Sequence, residues 1–206
     1  MRKIICVAGA LKREIAPVTA RFKIIKTLPL AEGALHIADQ WHFLVTGIGQ
    51  DKTSDTWHEY LKHYQPDLVL NIGGAGKLHP KITTGGIYHI INIIDESGGT
   101  ALAAETIPGL TGCLTASLLT VHKPVTDTMK RDELYRHYQA DLVDMEAFFL
   151  GRAVRQRGIP FYCIKTVTDS ADEQTAADFK KNSTQYAERL AVYLMEKVFP
   201  ILNNRR

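Results

Sequence analysis

Cysteine is scarce: Cys6, Cys113 and Cys163 are three in number, widely separated, and form no CxxC pair. A disulfide framework and a zinc knuckle are therefore both excluded, and a reducing cytoplasm is the expected location. No stretch approaches the ~20 consecutive apolar residues of a membrane span. Charge of one sign is also lacking. Lys and Arg number 25 against 22 Asp and Glu, a formal surplus of +3, too small to make nucleic acid or an anionic membrane the expected partner. The eight histidines show neither HExxH nor HxH, and His58 and His63 do not share a helical face, so no metal is expected. GxGxxG and GxxxxGK[ST] are absent, which removes the usual dinucleotide and P-loop signatures and leaves no cofactor to expect.

What remains is the make-up of an ordinary globular chain: 206 residues, 45% hydrophobic, 23% charged, 8% aromatic. A chain of this size can bury roughly 70% of the surface its unfolded form exposes. A single domain spanning residues 1–206 is expected, without linker or repeat. The opening Met1-Arg2-Lys3 followed by a short apolar stretch is too brief for a convincing secretory signal and reads as a first buried strand.

Apolar, β-branched runs recur at 3–8, 42–46, 67–71, 86–94, 117–121 and 161–167. Apolar throughout, they suit strands buried on both faces. Between them, 50–64 places Trp57, Tyr60, Leu61 and Tyr64 at helical spacing before the stop at Gln65-Pro66. Residues 145–157 run to Gly158 and Pro160, and 183–202 carry Tyr186, Leu190, Tyr193, Leu194 and Val198 on one stripe. Strand and helix alternate, which predicts an α/β fold, a sandwich with a central mixed, largely parallel sheet flanked by helices. Residues 95–116 read as a long irregular connection and a candidate lid.

Ligands of open α/β sheets collect at the carboxyl ends of strands. Four junctions there are unusual: Gly9-Ala10-Leu11-Lys12-Arg13-Glu14, Thr46-Gly47-Ile48-Gly49, Asn71-Ile72-Gly73-Gly74-Ala75-Gly76 and Thr168-Asp169-Ser170-Ala171-Asp172. Each admits a plain structural reading. Glycines punctuate strand ends, Asp144 can cap a helix whose first turn holds Glu146, Asp169 can cap the segment after it, and Asp172 with Glu173 suits a solvated helix start.

Taken in order, Gly-Ala-Leu-Lys-Arg-Glu at 9–14, Val-Thr-Gly-Ile-Gly at 45–49, Asn-Ile-Gly-Gly-Ala-Gly-Lys-Leu at 71–78, Val-Asp-Met-Glu-Ala at 143–147 and Ile-Pro-Phe-Tyr-Cys-Ile-Lys-Thr-Val-Thr-Asp at 159–169 resemble the purine nucleoside phosphorylase and nucleosidase superfamily over residues 3–200. The resemblance implies cleavage of the N-glycosidic bond of a purine nucleoside, a small-molecule partner, and a homodimer or larger homo-oligomer. It implies Asp169 as the acid that protonates the departing base and Glu14 as the base that activates water. Glu146 would hold the ribose hydroxyls, Met145 would pack on the sugar, and Gly74, Ala75, Gly76 and Thr168 would complete the substrate site. Protonating a leaving base and stabilising a cationic sugar are both tasks that carboxyl groups perform.

Water and phosphate remain competing nucleophiles. A phosphorylase needs cations for phosphate, one of them at the position of Asn71, whereas Glu14 matches the water-activating glutamate of the nucleosidases. Hydrolysis is the expected reaction, phosphorolysis the alternative, and a nucleoside-binding protein without turnover a second alternative. His122-Lys123-Pro124-Val125, where methylthioadenosine and adenosylhomocysteine nucleosidases usually stack a phenylalanine on adenine, resembles the hopanoid-associated nucleosidases. The 5′ substituent is therefore left open between these branches.

Overall fold

The computed structural model describes residues 3–204. Its centre is β1 (Ile5–Gly9), every residue of it buried, flanked by the parallel strands β4 (Trp41–Val45) and β5 (Leu68–Lys77). Successive side chains of a strand point to opposite faces, and β1 shows the consequence. Ile5 and Val7 pack with Ile15, Val18, Leu190 and Leu194 of the helices on one side. Cys6 and Ala8 pack with Trp57, Tyr60, Phe148 and Val154 on the other. Helices α1 (Lys12–Thr19) and α5 (Thr175–Tyr193) cover the first face, and α2 (Gln50–Leu61) and α4 (Ala147–Arg155) the second.

Beyond β5 the sheet bends round on itself. The strand β10 (Phe161–Asp169) lies parallel to β5 and antiparallel to β6 (Ile87–Asp95). β6 pairs parallel with β8 (Leu114–Thr120), which pairs parallel with β9 (Leu142–Asp144). Antiparallel pairing of β9 with the end of β5 at Gly76–Val143 then closes the ring. Closure leaves these strands no free edge and brings the carboxyl ends of β5, β9 and β10 together.

The α/β architecture expected from the sequence is present, and its sheet is mixed. The antiparallel share comes partly from short or edge elements that the pattern of apolar runs does not reveal. β2 (Lys26–Leu30) carries Pro29 and pairs only with β3 (Gly33–Ala38), in the position where proline is tolerated. β7 (Ala101–Ala103) and β9 are three residues each, too short for periodicity to register. Helix α3 (Thr128–Tyr138) is strongly polar and buries Leu134 over a third apolar cluster with Val121, Val125 and Val143.

Helix limits differ from expectation at three points. The stretch expected to begin at Ser183 begins at Thr175, because the first turns of α5 hold, besides polar residues, only the small Ala176 and Ala177 and the single large apolar Phe179, which give no apolar stripe. It also does not run unbroken to Leu202: a π-helical turn, Leu194–Val198, precedes α6 (Phe199–Asn203). Pro200 has no N–H to offer the carbonyl of Glu196, which favours such widening just ahead of it. The helix expected from Met145 starts at Ala147, leaving Met145 and Glu146 in the turn after β9.

Candidate active site

The closed ring opens at its carboxyl end into a cavity of about 420 Å³, lined mostly by apolar side chains including Leu11, Ile48, Val121, Pro124, Val125, Met145 and Phe179. A pocket of that volume suits a small molecule with a few polar contacts fixing its orientation. Glu14, Gly74, Ala75, Gly76, Met145, Glu146, Thr168 and Asp169 all lie on its wall. Residues separated by more than 150 positions in the chain thus share one cavity. The way they reach it departs from the sequence reading in three respects.

First, the glycine-rich segment is not a turn between strand and helix. It is the continuing strand β5, with Gly74 opposite Thr166 and Gly76 opposite Asp169 of β10. Its glycines make room for acidic side chains. A Cβ at position 73 would stand 2.8 Å from Glu14 Oε1, and one at position 76 would stand 2.8 Å from Asp169 Oδ1. Such distances are too short for real contacts, so absence of a side chain at these points lets the two carboxyl groups seat against the strand.

Second, residues 95–116 do not close over the cavity, and none of them lines it. Part of the segment is β7, Glu105 N–H donates to the carbonyl of Phe161 at the opposite end of β10, and Ala104 and Ile107 are buried.

Third, Asp144 does more than cap α4. It accepts from Ala147 N–H at 3.0 Å and from Thr120 Oγ1 at 2.7 Å, and forms an ion pair with Lys165 Nζ at 2.9 Å. Lys165 is 2% exposed. Burial by itself would lower its pKa, but the charge of Asp144, with Cys163 and Glu146 adding to it, holds it above the ordinary lysine value. Sequence reasoning misses Lys165. The available signal is a lysine in the middle of an apolar strand, where a charge persists only if paired.

Glu14 sits in the first turn of α1. Its Oε2 accepts from Leu11 N–H at 2.9 Å, a helix-capping contact, while Oε1 accepts from Gly74 N–H at 2.8 Å. Burial raises its pKa, opposed by the Gly74 N–H, the charge of Lys165 and the Leu11 N–H. Glu146 accepts from Gly49 N–H at 3.0 Å, which ties the 46–49 junction to the site. Its pKa is raised by burial and then by the charge of Asp144, against the pull of Lys165.

Asp169 is also buried, and burial raises its pKa against hydrogen bonds from Thr168 Oγ1 at 2.7 Å, Ala171 N–H at 3.0 Å and Thr175 Oγ1 at 3.3 Å. Three acidic groups with raised pKa values around one cavity form a constellation suited to proton transfer and to holding a cationic intermediate. Among the described residues one buried cation, Lys165, acts on two of them, Glu14 and Glu146.

Asn71 lies outside the cavity wall. Its Nδ2 donates to the carbonyl of Ala8 at 3.1 Å, and its Oδ1 accepts from Cys163 Sγ at 3.4 Å. Arg13 lies 5.0 Å from the centre of the Phe179 ring and reaches Ser183, while Lys12 is exposed. Among the described residues, no arginine or lysine lines the cavity. Nor do those residues include a group of three or more His, Cys, Asp and Glu arranged to hold a metal.

Residues 114–198 match the family model of the phosphorylase superfamily. The chain is 22% identical to the 5′-methylthioadenosine/S-adenosylhomocysteine nucleosidase of Geobacillus kaustophilus, with 96% of this chain and 95% of that one covered. It is 24% identical to the protein of the same name from Baumannia cicadellinicola, covering 94% of this chain and 97% of the other. Among solved structures, the Helicobacter pylori methylthioadenosine nucleosidase with 5′-methylthioadenosine in its active site superposes with a TM-score of 0.86 at 16% identity, covering 100% of both chains. Futalosine hydrolase of Helicobacter pylori superposes with a TM-score of 0.85 at 17% identity, covering 99% of this chain and 100% of that one.

Proposed function

We propose that this chain is a purine nucleosidase of the phosphorylase superfamily, whose family model its residues 114–198 match. It would hydrolyse the N-glycosidic bond of an adenosine-type, 5′-substituted nucleoside to free base and free sugar. The observation that carries this reading is the meeting of Glu14, Glu146 and Asp169 around one apolar cavity of about 420 Å³ whose wall, among the described residues, has no arginine or lysine. Phosphate is an anion and needs such cations; water needs a base.

In this mechanism Asp169 gives its proton to N7 of the purine as the bond from C1′ to N9 breaks, and the bonding electron pair leaves with the base. The sugar becomes cation-like, and Glu146 stabilises that charge while accepting hydrogen bonds from the ribose hydroxyls. Glu14 takes a proton from water as its oxygen bonds to C1′. Asp144 keeps Lys165 charged, and the Lys165 charge favours the ionised forms of Glu14 and Glu146 against the burial that raises both pKa values. Thr168 anchors Asp169, and Met145 offers an apolar surface to the sugar.

The mostly apolar lining favours a neutral, apolar 5′ substituent of the methylthio, homocysteinyl or hopanoid kind. The same reading makes the chain a single cytoplasmic domain acting as a homo-oligomer. Three free cysteines suit a reducing compartment, and Ile48, 45% exposed at the cavity, suits cover by a second copy. No helix among the described residues is long and apolar enough to cross a membrane.

The test is a panel of purine nucleosides incubated with and without phosphate, with products identified by mass spectrometry. Free base and free sugar at a rate independent of phosphate are expected. A sugar 1-phosphate forming faster as phosphate rises would establish the phosphorylase instead, and tight binding without product would establish the non-enzymatic alternative.

A further inference from the structure

Beside the main cavity, sharing Glu14, Gly74, Thr168 and Phe179 with it, lies a second and much smaller one of about 10 Å³, walled further by Gly73, Thr166, Ser183 and apolar side chains of α5. Space of that size, measured for the centre of a water-sized sphere, is about what one water occupies, and a buried water is stable only with two or more polar partners. The wall supplies them. Thr166 is 2% exposed, and its Oγ1 has no hydrogen-bond partner among the described residues. A buried hydroxyl without a partner is costly enough that it calls for a specific explanation. Glu14 presents a carboxylate whose roughly four acceptor sites exceed the backbone N–H groups of Gly74, Leu11 and Ala10 that act on it, and Ser183 adds a hydroxyl whose contact from Arg13 is a long 3.4 Å.

We infer that this small cavity holds one structural water that joins Thr166 Oγ1 to the Glu14 carboxylate, and that Thr166 is thereby a positioning residue for the base. The inference rests on the role proposed for Glu14. The water donates one hydrogen bond to Glu14 and a hydrogen bond with Thr166 fixes its place, so the carboxylate is held in position to address the nucleophilic water. The charged groups that act on Glu14 are Lys165 from β10 and Glu146 from the turn before α4. From β5 the backbone N–H of Gly74 donates to it, and from α5 Ser183 lines the same small cavity.

Removing a donor from Glu14 favours its protonated form. Its titration should then move to higher pH, and the acidic limb of the rate profile with it. The experiment compares wild type with Thr166→Val, which keeps the shape and removes the hydroxyl, and Thr166→Ser, which keeps the hydroxyl. Thr166→Val should lower kcat about tenfold, the scale of one hydrogen bond to a charged group, with KM little changed and the acidic limb moved upward. Thr166→Ser should recover both. Wild-type kcat and limb position in Thr166→Val, or equal damage in Thr166→Ser, would overturn the assignment.

A high-resolution crystal structure supplies a readout independent of turnover. Density for a water within hydrogen-bond reach of Thr166 and Glu14 in wild type, absent from Thr166→Val, supports the site. No density in wild type refutes it. If wild type releases no base but the water is present, the proposed reaction fails while the water site stands.

Discussion

Two connections of this molecule make opposite use of their length. Residues 96–113, the longer by far, include the short strand β7, rest against the far end of β10, and contribute nothing to the cavity wall. The tips of β5 and β10, with the few residues after each, supply Gly74, Ala75, Gly76, Thr168, Asp169 and Ala171 to it. Under the proposed mechanism this placement makes sense, since a proton donor must be held within a fraction of an ångström of its target and paired backbone does that better than a long loop. Loop length is a misleading pointer here. Polarity inside an otherwise buried strand is the informative one.

The sharpest way to break this comparison is to alter the strand tip. Asp169→Asn should reduce turnover by roughly 10² to 10⁴-fold, since it keeps the amide's shape but has no transferable proton. Near-normal turnover would mean that the strand tip does not carry the chemistry. The pH profile has a definite sign. The proposed mechanism requires Asp169 protonated and Glu14 ionised, and burial raises both pKa values. Activity in wild type should therefore fall on the basic side as Asp169 loses its proton and on the acidic side as Glu14 gains one, with both limbs above the ordinary carboxylate range. In Asp169→Asn the basic limb should vanish from the residual rate.

A methyl group suffices for the next test. Gly76→Ala places a Cβ 2.8 Å from Asp169 Oδ1 and should displace that carboxyl group. A shift approaching an ångström in a reacting group can cost on the order of 10²-fold, to be read as kcat/KM with the folded state checked by circular dichroism. Unchanged kinetics would show that Asp169 has freedom the packing does not suggest.

Lys165→Met sharpens the comparison through stability. The substitution strands Asp144 as a buried carboxylate without its cation, and breaking such a pair from one side typically costs about 3–5 kcal/mol. Urea unfolding should show that loss, and replacing Asp144 by Asn in the same chain should recover part of it. At the other extreme, Thr111→Ala lies on the exposed surface of the long connection. It should change unfolding free energy by no more than about 0.5 kcal/mol and leave kcat/KM unaltered.

Much of this architecture is legible in the sequence for physical reasons. Buried strands announce themselves as apolar runs, unbroken in β1 and interrupted in β10 only by Lys165 and threonines, and the carboxylates stand at strand ends or near the start of the next helix. The elements that escape are short, such as β9, or at the edge and interrupted by proline, such as β2. Asp144 illustrates a subtler limit. Its capping contact to Ala147 is readable from local sequence, whereas its pairing with Lys165 depends on β9 and β10 converging after the ring closes. The glycines of β5 read locally as a turn or a ligand cradle, because nothing nearby in the chain says that they make way for side chains arriving from Glu14 and Asp169.

The central claim is that Glu14 directs water to the sugar carbon and no phosphate takes its place. Turnover of an adenosine-type nucleoside in isotopically labelled water, with unlabelled phosphate present, tests it most directly. The account predicts free sugar carrying the label on the oxygen at C1′, at a rate unaffected by phosphate and lost in Glu14→Gln. An unlabelled sugar 1-phosphate would contradict it.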